Sequence, residues 1–248
     1  MFRAGVFCEL ASQEQEGSME AMILAGGLGT RLQSRLHGVP KPMAPVAGRP
    51  FLELLLDRLR EAGFERVILS VGHLREAITG HFGDAWKGLE IRYAIETEPL
   101  GTGGAIRLAM ECASAADVFV LNGDTWLELE YRAMLEQHVA SGVEFTMALS
   151  HVEDRARYGG VEVEDGRVMR FVEKGVAGPG WINGGVYLLK REFAWPMEMP
   201  TKFSFESDLL YPRLAAMPHG VYTKTGFFLD IGIPEDLDRA QTEIGAKR

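Results

Sequence analysis

The run Leu24-Ala25-Gly26-Gly27-Leu28-Gly29-Thr30-Arg31, with Lys41 ten residues beyond the arginine, constrains this chain more than any other feature. The apolar residues before it, Ala21-Met22-Ile23-Leu24, predict a buried parallel strand. That strand breaks into three glycines. Without a Cβ, glycine lets backbone N–H groups approach a phosphate closely. Arg31 and Lys41 then add positive charge, so the segment suits a triphosphate. For the glycines alone, an ordinary strand–turn–helix corner is an equal reading. A Walker A loop is excluded because no Gly-Lys-Ser/Thr follows, and a dinucleotide fingerprint because Leu32 stands where its third glycine belongs.

Strand–helix alternation continues from there. Strands are predicted at Ala21–Ala25, Val67–Val71, Ile91–Ile95 and Asp117–Leu121. Between them, Pro50 opens an amphipathic helix with Phe51, Leu55, Leu59 and Ala62 on one face and Glu53, Asp57, Arg60 and Glu61 elsewhere. Leu74–Phe82 and Gly104–Cys112 also read as helices. Such alternation predicts an α/β fold, Rossmann-like, with three α/β/α layers around a mostly parallel central sheet. Ligands of such sheets sit beyond the carboxyl ends of the strands, where the glycine loop and Asp124 both fall. In the second half, Val161–Glu164 and Arg167–Phe171 flank Asp165-Gly166 as a hairpin, and Trp181–Leu189 and Phe227–Ile231 add strands. Pro234–Ile244 reads as a closing helix. The expected organisation is a flexible extension over 1–18 and one domain over 19–248, its 19–150 half binding nucleotide and its 151–248 half binding sugar.

A net charge of −9 argues against a nucleic-acid surface, so a phosphate site must be a local basic pocket. Two cysteines, Cys8 and Cys112, allow neither a disulfide framework nor cysteine-based zinc spacing. No apolar stretch reaches membrane-spanning length, and a cytoplasmic location is expected by default.

Two carboxylates stand out. Asp124 follows an apolar strand and Asn122-Gly123, a placement that suits a magnesium ligand and also a turn aspartate. Asp230, in Phe228-Leu229-Asp230-Ile231-Gly232, is flanked by apolar residues and needs a partner; capping and salt-bridge readings are equally open.

Gly26 to Arg31 followed by Pro40-Lys41-Pro42 resembles the sugar-1-phosphate nucleotidyltransferases. Lys41-Pro42-Met43-Ala44-Pro45, Glu98-Pro99-Leu100-Gly101-Thr102-Gly103-Gly104, Leu121-Asn122-Gly123-Asp124, Ile182-Asn183-Gly184-Gly185, Lys202-Phe203-Ser204-Phe205-Glu206 and Asp230-Ile231-Gly232-Ile233-Pro234-Glu235-Asp236 extend the likeness, which leans toward the D-glycero-α-D-manno-heptose 1-phosphate guanylyltransferase branch. It runs from about Glu20 to Ile244.

The resemblance implies a glycosyltransferase-A-like fold, Mg2+, GTP or another nucleoside triphosphate, and a sugar 1-phosphate as second substrate. A homo-oligomer is compatible with it. It makes Asp230 the second metal ligand beside Asp124. Arg31 would hold the leaving pyrophosphate and Lys41 the reacting phosphates. Leu24, Ala25, Gly26, Gly27, Gly29, Thr30, Gly101, Thr102 and Asn122 would surround the nucleotide. Lys174 would meet the sugar phosphate and Glu173 its hydroxyls, although Glu173-Lys174 alone is an ordinary surface pair. Asn183 offers a donor and an acceptor, while a turn asparagine is an equal reading. Gly159, Ser204 and Glu206 complete the sugar side. Glu96 stands where uridylyl and thymidylyl enzymes usually carry glutamine. As an acceptor it suits guanine's N1–H and 2-amino donors, with Glu98 the alternative base reader. Mannose-1-phosphate guanylyltransferase, N-acetylmuramate-1-phosphate uridylyltransferase and a non-catalytic nucleotide-sugar sensor are the rival readings. The sensor expects loss of Arg31, Lys41 or a metal carboxylate, and all are present.

Overall fold

The computed structural model describes residues 18–27, 29, 32–36, 38–214 and 217–244. The elements are β1 Met19–Leu24, α1 Gln33–Leu36, β2 Pro45–Val46, β3 Arg49–Pro50, α2 Phe51–Glu61, β4 Phe64–Val71, α3 Arg75–Phe82, β5 Ala85–Trp86, β6 Leu89–Ile95, α4 Gly101–Met110, β7 Asp117–Asn122, β8 Thr125–Leu129 and α5 Tyr131–Ser141. There follow β9 Phe145–Val152, β10 Gly160–Glu164, β11 Arg167–Val172, β12 Gly180–Lys190, a π-helical turn Phe205–Leu210, α6 Tyr211–Arg213, β13 His219–Tyr222, β14 Thr225–Asp230 and α7 Pro234–Glu243. Among the described residues no helix is long and apolar enough to cross a membrane.

The main sheet runs β11-β10-β12-β7-β1-β4-β6-β5, with β9 joined to β12 and β13 to β9. Its centre, β7-β1-β4-β6, is parallel. These strands are apolar at successive positions because both faces are covered. Ala21 and Ile23 of β1 pack into a core with α2, α3, α5 and α7. Met22 points to a second core, with Ile106 and Ala109 of α4 and Phe205, Leu209 and Leu210 of the π-helical turn. Two cores on opposite faces of one sheet are the three layers expected from the alternation.

The predicted hairpin is β10–β11, paired antiparallel around Asp165-Gly166. The antiparallel share of the sheet is larger than the strand–helix pattern suggested. β12 pairs antiparallel with β7, β9 and β10 at once. The expected face of α2 is buried at Phe51, Leu55 and Leu59, but Leu52, Leu54 and Leu56 are buried too. Glu53, expected on the polar side, is also buried. Its carboxylate is satisfied there by Arg49 Nε at 2.6 Å and the His81 ring at 2.7 Å, which is what makes its burial tolerable.

Two local devices shape the carboxyl edge of the sheet. The β12 ladder to β9 shifts register between Asn183 and Tyr187, where Gly185 has φ +68°. Such a break re-aims side chains on a strand. The short ribbon β8–β14 pairs Asp230 with Thr125, and the Ile231 N–H donates to the Asp124 carbonyl at 2.9 Å. Residues 106 positions apart (230 − 124) are thereby neighbours.

Candidate active site

Leu24, Gly27, Lys41, Pro42, Thr102, Asn122, Gly123 and Asp124 line a cleft of about 190 Å³ at the carboxyl ends of β1 and β7. The strand ends are stitched there: Ala25 N–H donates to Ser70 O at 2.8 Å and Gly123 N–H to Leu24 O at 3.1 Å. A Cβ on Gly123 would overlap that same carbonyl. Gly29 has φ +58°, and a Cβ there would lie 3.1 Å from Lys41 Cβ, so glycine lets the loop close over the lysine. Thr30 and Arg31, with Leu28, lie outside the described residues.

Lys41 is 8% exposed and its Nζ pairs with Asp124 Oδ2. A Cβ on Gly232 would sit 2.7 Å from Asp230 Oδ1 and 3.3 Å from Lys41 Nζ, so both carboxylates flank one buried ammonium. Asp230 Oδ1 also accepts from Gly232 N–H at 2.6 Å, which fixes its rotamer. A carboxylate in the β7–β8 turn and one at the end of the neighbouring β14 are a hard-oxygen donor pair. That pair fits a divalent cation which takes its remaining ligands from water and phosphate. Among the described residues no group of three or more His, Cys, Asp or Glu converges, so a cage made wholly of protein groups is not built here.

Glu96 lies in a second cleft, of about 290 Å³, with Gly26, Gly72, His73, Arg75, Thr97, Glu98 and Pro99. Its Oε1 accepts from Ser70 Oγ at 3.2 Å and its Oε2 from Leu100 N–H at 3.0 Å. A Cβ on Gly26 would come 2.5 Å from Oε1, so glycine in the loop makes room for this carboxylate. Burial raises the Glu96 pKa above the usual carboxylate value, and the two hydrogen bonds work against that rise.

Of the residues expected on the sugar side, Gly159, Glu173, Lys174 and Asn183 line a third pocket, of about 430 Å³, with Tyr158, Phe171 and Tyr211, while Ser204 and Glu206 are not on its wall. Asn183 is more constrained than its type suggested. Its Oδ1 accepts from Gly185 N–H at 3.0 Å, which fixes the amide orientation, and its Nδ2 donates to Tyr187 Oη at 2.7 Å. Tyr187 donates in turn to Glu206 Oε1 at 3.1 Å, and Thr102 Oγ1 donates to Glu206 Oε2 at 2.8 Å. Glu206 thus links the first turn of α4 to Asn183 across the two clefts. Ser204 caps the π-helical turn by accepting from Ser207 N–H at 3.1 Å, and its hydroxyl reaches Glu206 at 3.3 Å.

Tyr187 is a residue the motifs missed. It is fully buried, and burial together with the Glu206 charge raises its pKa well above the usual tyrosine value. No sequence signal finds it, because the register break at Gly185 interrupts the strand alternation between 183 and 187. The glycines of Gly101-Thr102-Gly103-Gly104 have a packing explanation. A Cβ at Gly101 would lie 2.9 Å from the Phe203 carbonyl carbon, and one at Gly103 2.7 Å from Phe203 Cζ. Phe203 N–H donates to Leu100 O and Gly103 N–H to Phe203 O, each at 3.0 Å.

An α/β sheet with a parallel centre, carrying a glycine loop, a buried lysine and paired carboxylates at its carboxyl edge with adjoining clefts, has the architecture of a nucleotide-handling fold. The Nucleotidyl transferase family model matches residues 20–247, and the chain belongs to that family. It is 42% identical over 226 residues to D-glycero-α-D-manno-heptose 1-phosphate guanylyltransferase of Aneurinibacillus thermoaerophilus, covering 91% of this chain and 98% of that one. The protein of the same name from Campylobacter jejuni is 41% identical, with 88% and 96% covered. The crystal structure of HddC from Yersinia pseudotuberculosis complexed with GMP-PN superposes with a TM-score of 0.80 at 38% identity, covering 91% of this chain and 99% of that one.

Proposed function

We propose that this chain transfers GMP from GTP to D-glycero-α-D-manno-heptose 1-phosphate, giving the GDP-sugar and pyrophosphate. The observation that carries the reading is near-full-length similarity to two proteins of that activity, at 42% and 41% identity. The site supplies groups suited to the chemistry. An oxygen of the sugar phosphate bonds to the α-phosphorus, the α–β bridging bond breaks, and pyrophosphate leaves with the electron pair. Such transfer depends on alignment and on charge neutralisation.

In this reading the backbone N–H groups of Gly26, Gly27 and Gly29 meet the triphosphate, and Lys41 neutralises the reacting phosphates. Arg31 takes the leaving pyrophosphate, a role assigned from sequence alone. Asp124 and Asp230 would hold Mg2+, which when bound supplies charge neutralisation at the α-phosphate. Glu96 accepts from guanine's N1–H and 2-amino group. Lys174 meets the sugar phosphate, while Glu173 and the second Nδ2–H of Asn183 meet sugar hydroxyls. Glu206 and Tyr187 hold Asn183 in that orientation, and Gly159 contributes backbone.

Isotope placement tests the reaction. With [α-32P]GTP the label is expected in the nucleotide sugar, and with [γ-32P]GTP in pyrophosphate. Label from the γ position in the sugar product would mean phosphoryl transfer and would overturn the reading.

A further inference from the structure

The cleft around Glu96 contains two residues that no sequence motif singled out, His73 and Arg75. They follow Gly72 at the end of β4, and Arg75 opens α3. Arg75 N–H donates to Gly72 O at 3.2 Å and closes the turn. Leu74, between them, has φ 58° and ψ 26°, the left-handed region. A bulky residue is uncommon there and persists where its surroundings over-determine it, an arrangement concentrated at ligand clamps. The strained turn delivers the side chains on either side of Leu74 to the cleft wall.

Arg75 Nε lies 3.2 Å from Glu76 Oε1, an exposed pair of the kind water screens. No described residue takes a hydrogen bond from its terminal nitrogens. Facing the same cleft is Glu96, fixed by Ser70 and Leu100 as described above, with Glu98 also on the wall. One cavity therefore offers acceptor-only carboxylates and a donor-only guanidinium. Guanine matches that division: N1–H and the 2-amino group are neighbouring donors, and O6 and N7 neighbouring acceptors. A pyrimidine has no N7, and adenine puts a donor where guanine has O6.

We infer that Arg75 determines base specificity by donating to the O6/N7 edge of guanine while a carboxylate of the same cleft holds the N1/2-amino edge. This rests on the GTP reading above. A bidentate arginine–guanine pair carries substantial discrimination, about tenfold or more.

The test measures kcat/KM for GTP, 7-deaza-GTP, ITP and UTP with wild type, Arg75→Ala and Arg75→Lys, after thermal unfolding shows each variant folded. Wild type is expected to prefer GTP over 7-deaza-GTP about tenfold. Arg75→Ala should accept both equally, because the partner of N7 is gone, and Arg75→Lys should fall between. The ITP penalty reports the 2-amino group and should be the same in wild type and Arg75→Ala. A GTP-to-7-deaza-GTP ratio unmoved by Arg75→Ala, or no discrimination by wild type, would overturn the inference and leave the guanylyl reading intact. A wild type that uses UTP and not GTP would overturn both.

Discussion

Alanine at Gly101 separates packing from phosphate binding as the reason for the Gly101–Gly104 run. Gly101 has φ +70°, where an L side chain is strained, and its Cβ would sit 2.9 Å from the Phe203 carbonyl carbon. The left-handed backbone costs about 1–2 kcal/mol, and forcing the 203 backbone outward adds about 1–3 kcal/mol of overpacking. The sum, about 2–5 kcal/mol, corresponds to a fall of roughly 4–20 °C in Tm for a domain of this size. Gly80, inside α3 with nothing within 4 Å of its Cβ position, is the control. There the same substitution should stabilise by about 0.5–1 kcal/mol, because alanine loses less conformational freedom in a helix. Thermal unfolding followed by circular dichroism reads both. A Gly101→Ala protein with wild-type Tm and weakened GTP binding would refute the packing account and return that glycine to the phosphate site.

Asp124→Asn and Asp230→Asn should each leave a folded protein and lose most turnover, since a missing carboxylate weakens a cation worth several kcal/mol to the transition state; wild-type-like turnover in either would remove that aspartate from the metal pair. Lys174→Ala should raise the KM for sugar 1-phosphate while leaving that for GTP near wild type, and the reverse pattern in initial-rate kinetics would mean the two substrates are placed the wrong way round. Burial works to raise the Asp57 pKa, but hydrogen bonds from Lys87, Arg49 and Trp86 overcome it and bring it down to about 2 from 3.8. A depressed carboxylate stabilises the fold above its unfolded pKa and loses that contribution as pH falls toward 2. Asp57→Asn should therefore cost roughly 1–2 kcal/mol at pH 7 and nothing below about pH 2, as urea titrations at the two pH values would show.

The parallel centre of the sheet was legible because each strand is a short apolar run ending in a turn signal, and Asp124 because it ends one. The Asp165-Gly166 hairpin was legible for the same local reason. What was not legible is non-local. β9 and β13 make no sense until β12 has crossed antiparallel beside β7, and nothing in Phe145–Val152 states which neighbour it takes. Glu206 reads from sequence as a sugar ligand, yet its carboxylate is shared between Thr102 and Tyr187, and Thr102 is 104 residues away. Glu53 looks like a surface residue until Arg49 and His81 close on it. Nothing in the sequence marks Arg75, because a lone arginine at a helix start is ordinary; only the left-handed turn before it marks the position.

Pyrophosphate release across a matrix of GTP, ATP, UTP and dTTP against the 1-phosphates of D-glycero-α-D-manno-heptose, mannose and N-acetylmuramate is the most direct measurement. The account predicts the highest kcat/KM for GTP with the heptose 1-phosphate, and a product with the mass of the GDP-heptose. A UTP optimum, or binding of nucleotide sugar with no pyrophosphate release in any cell of the matrix, would contradict it.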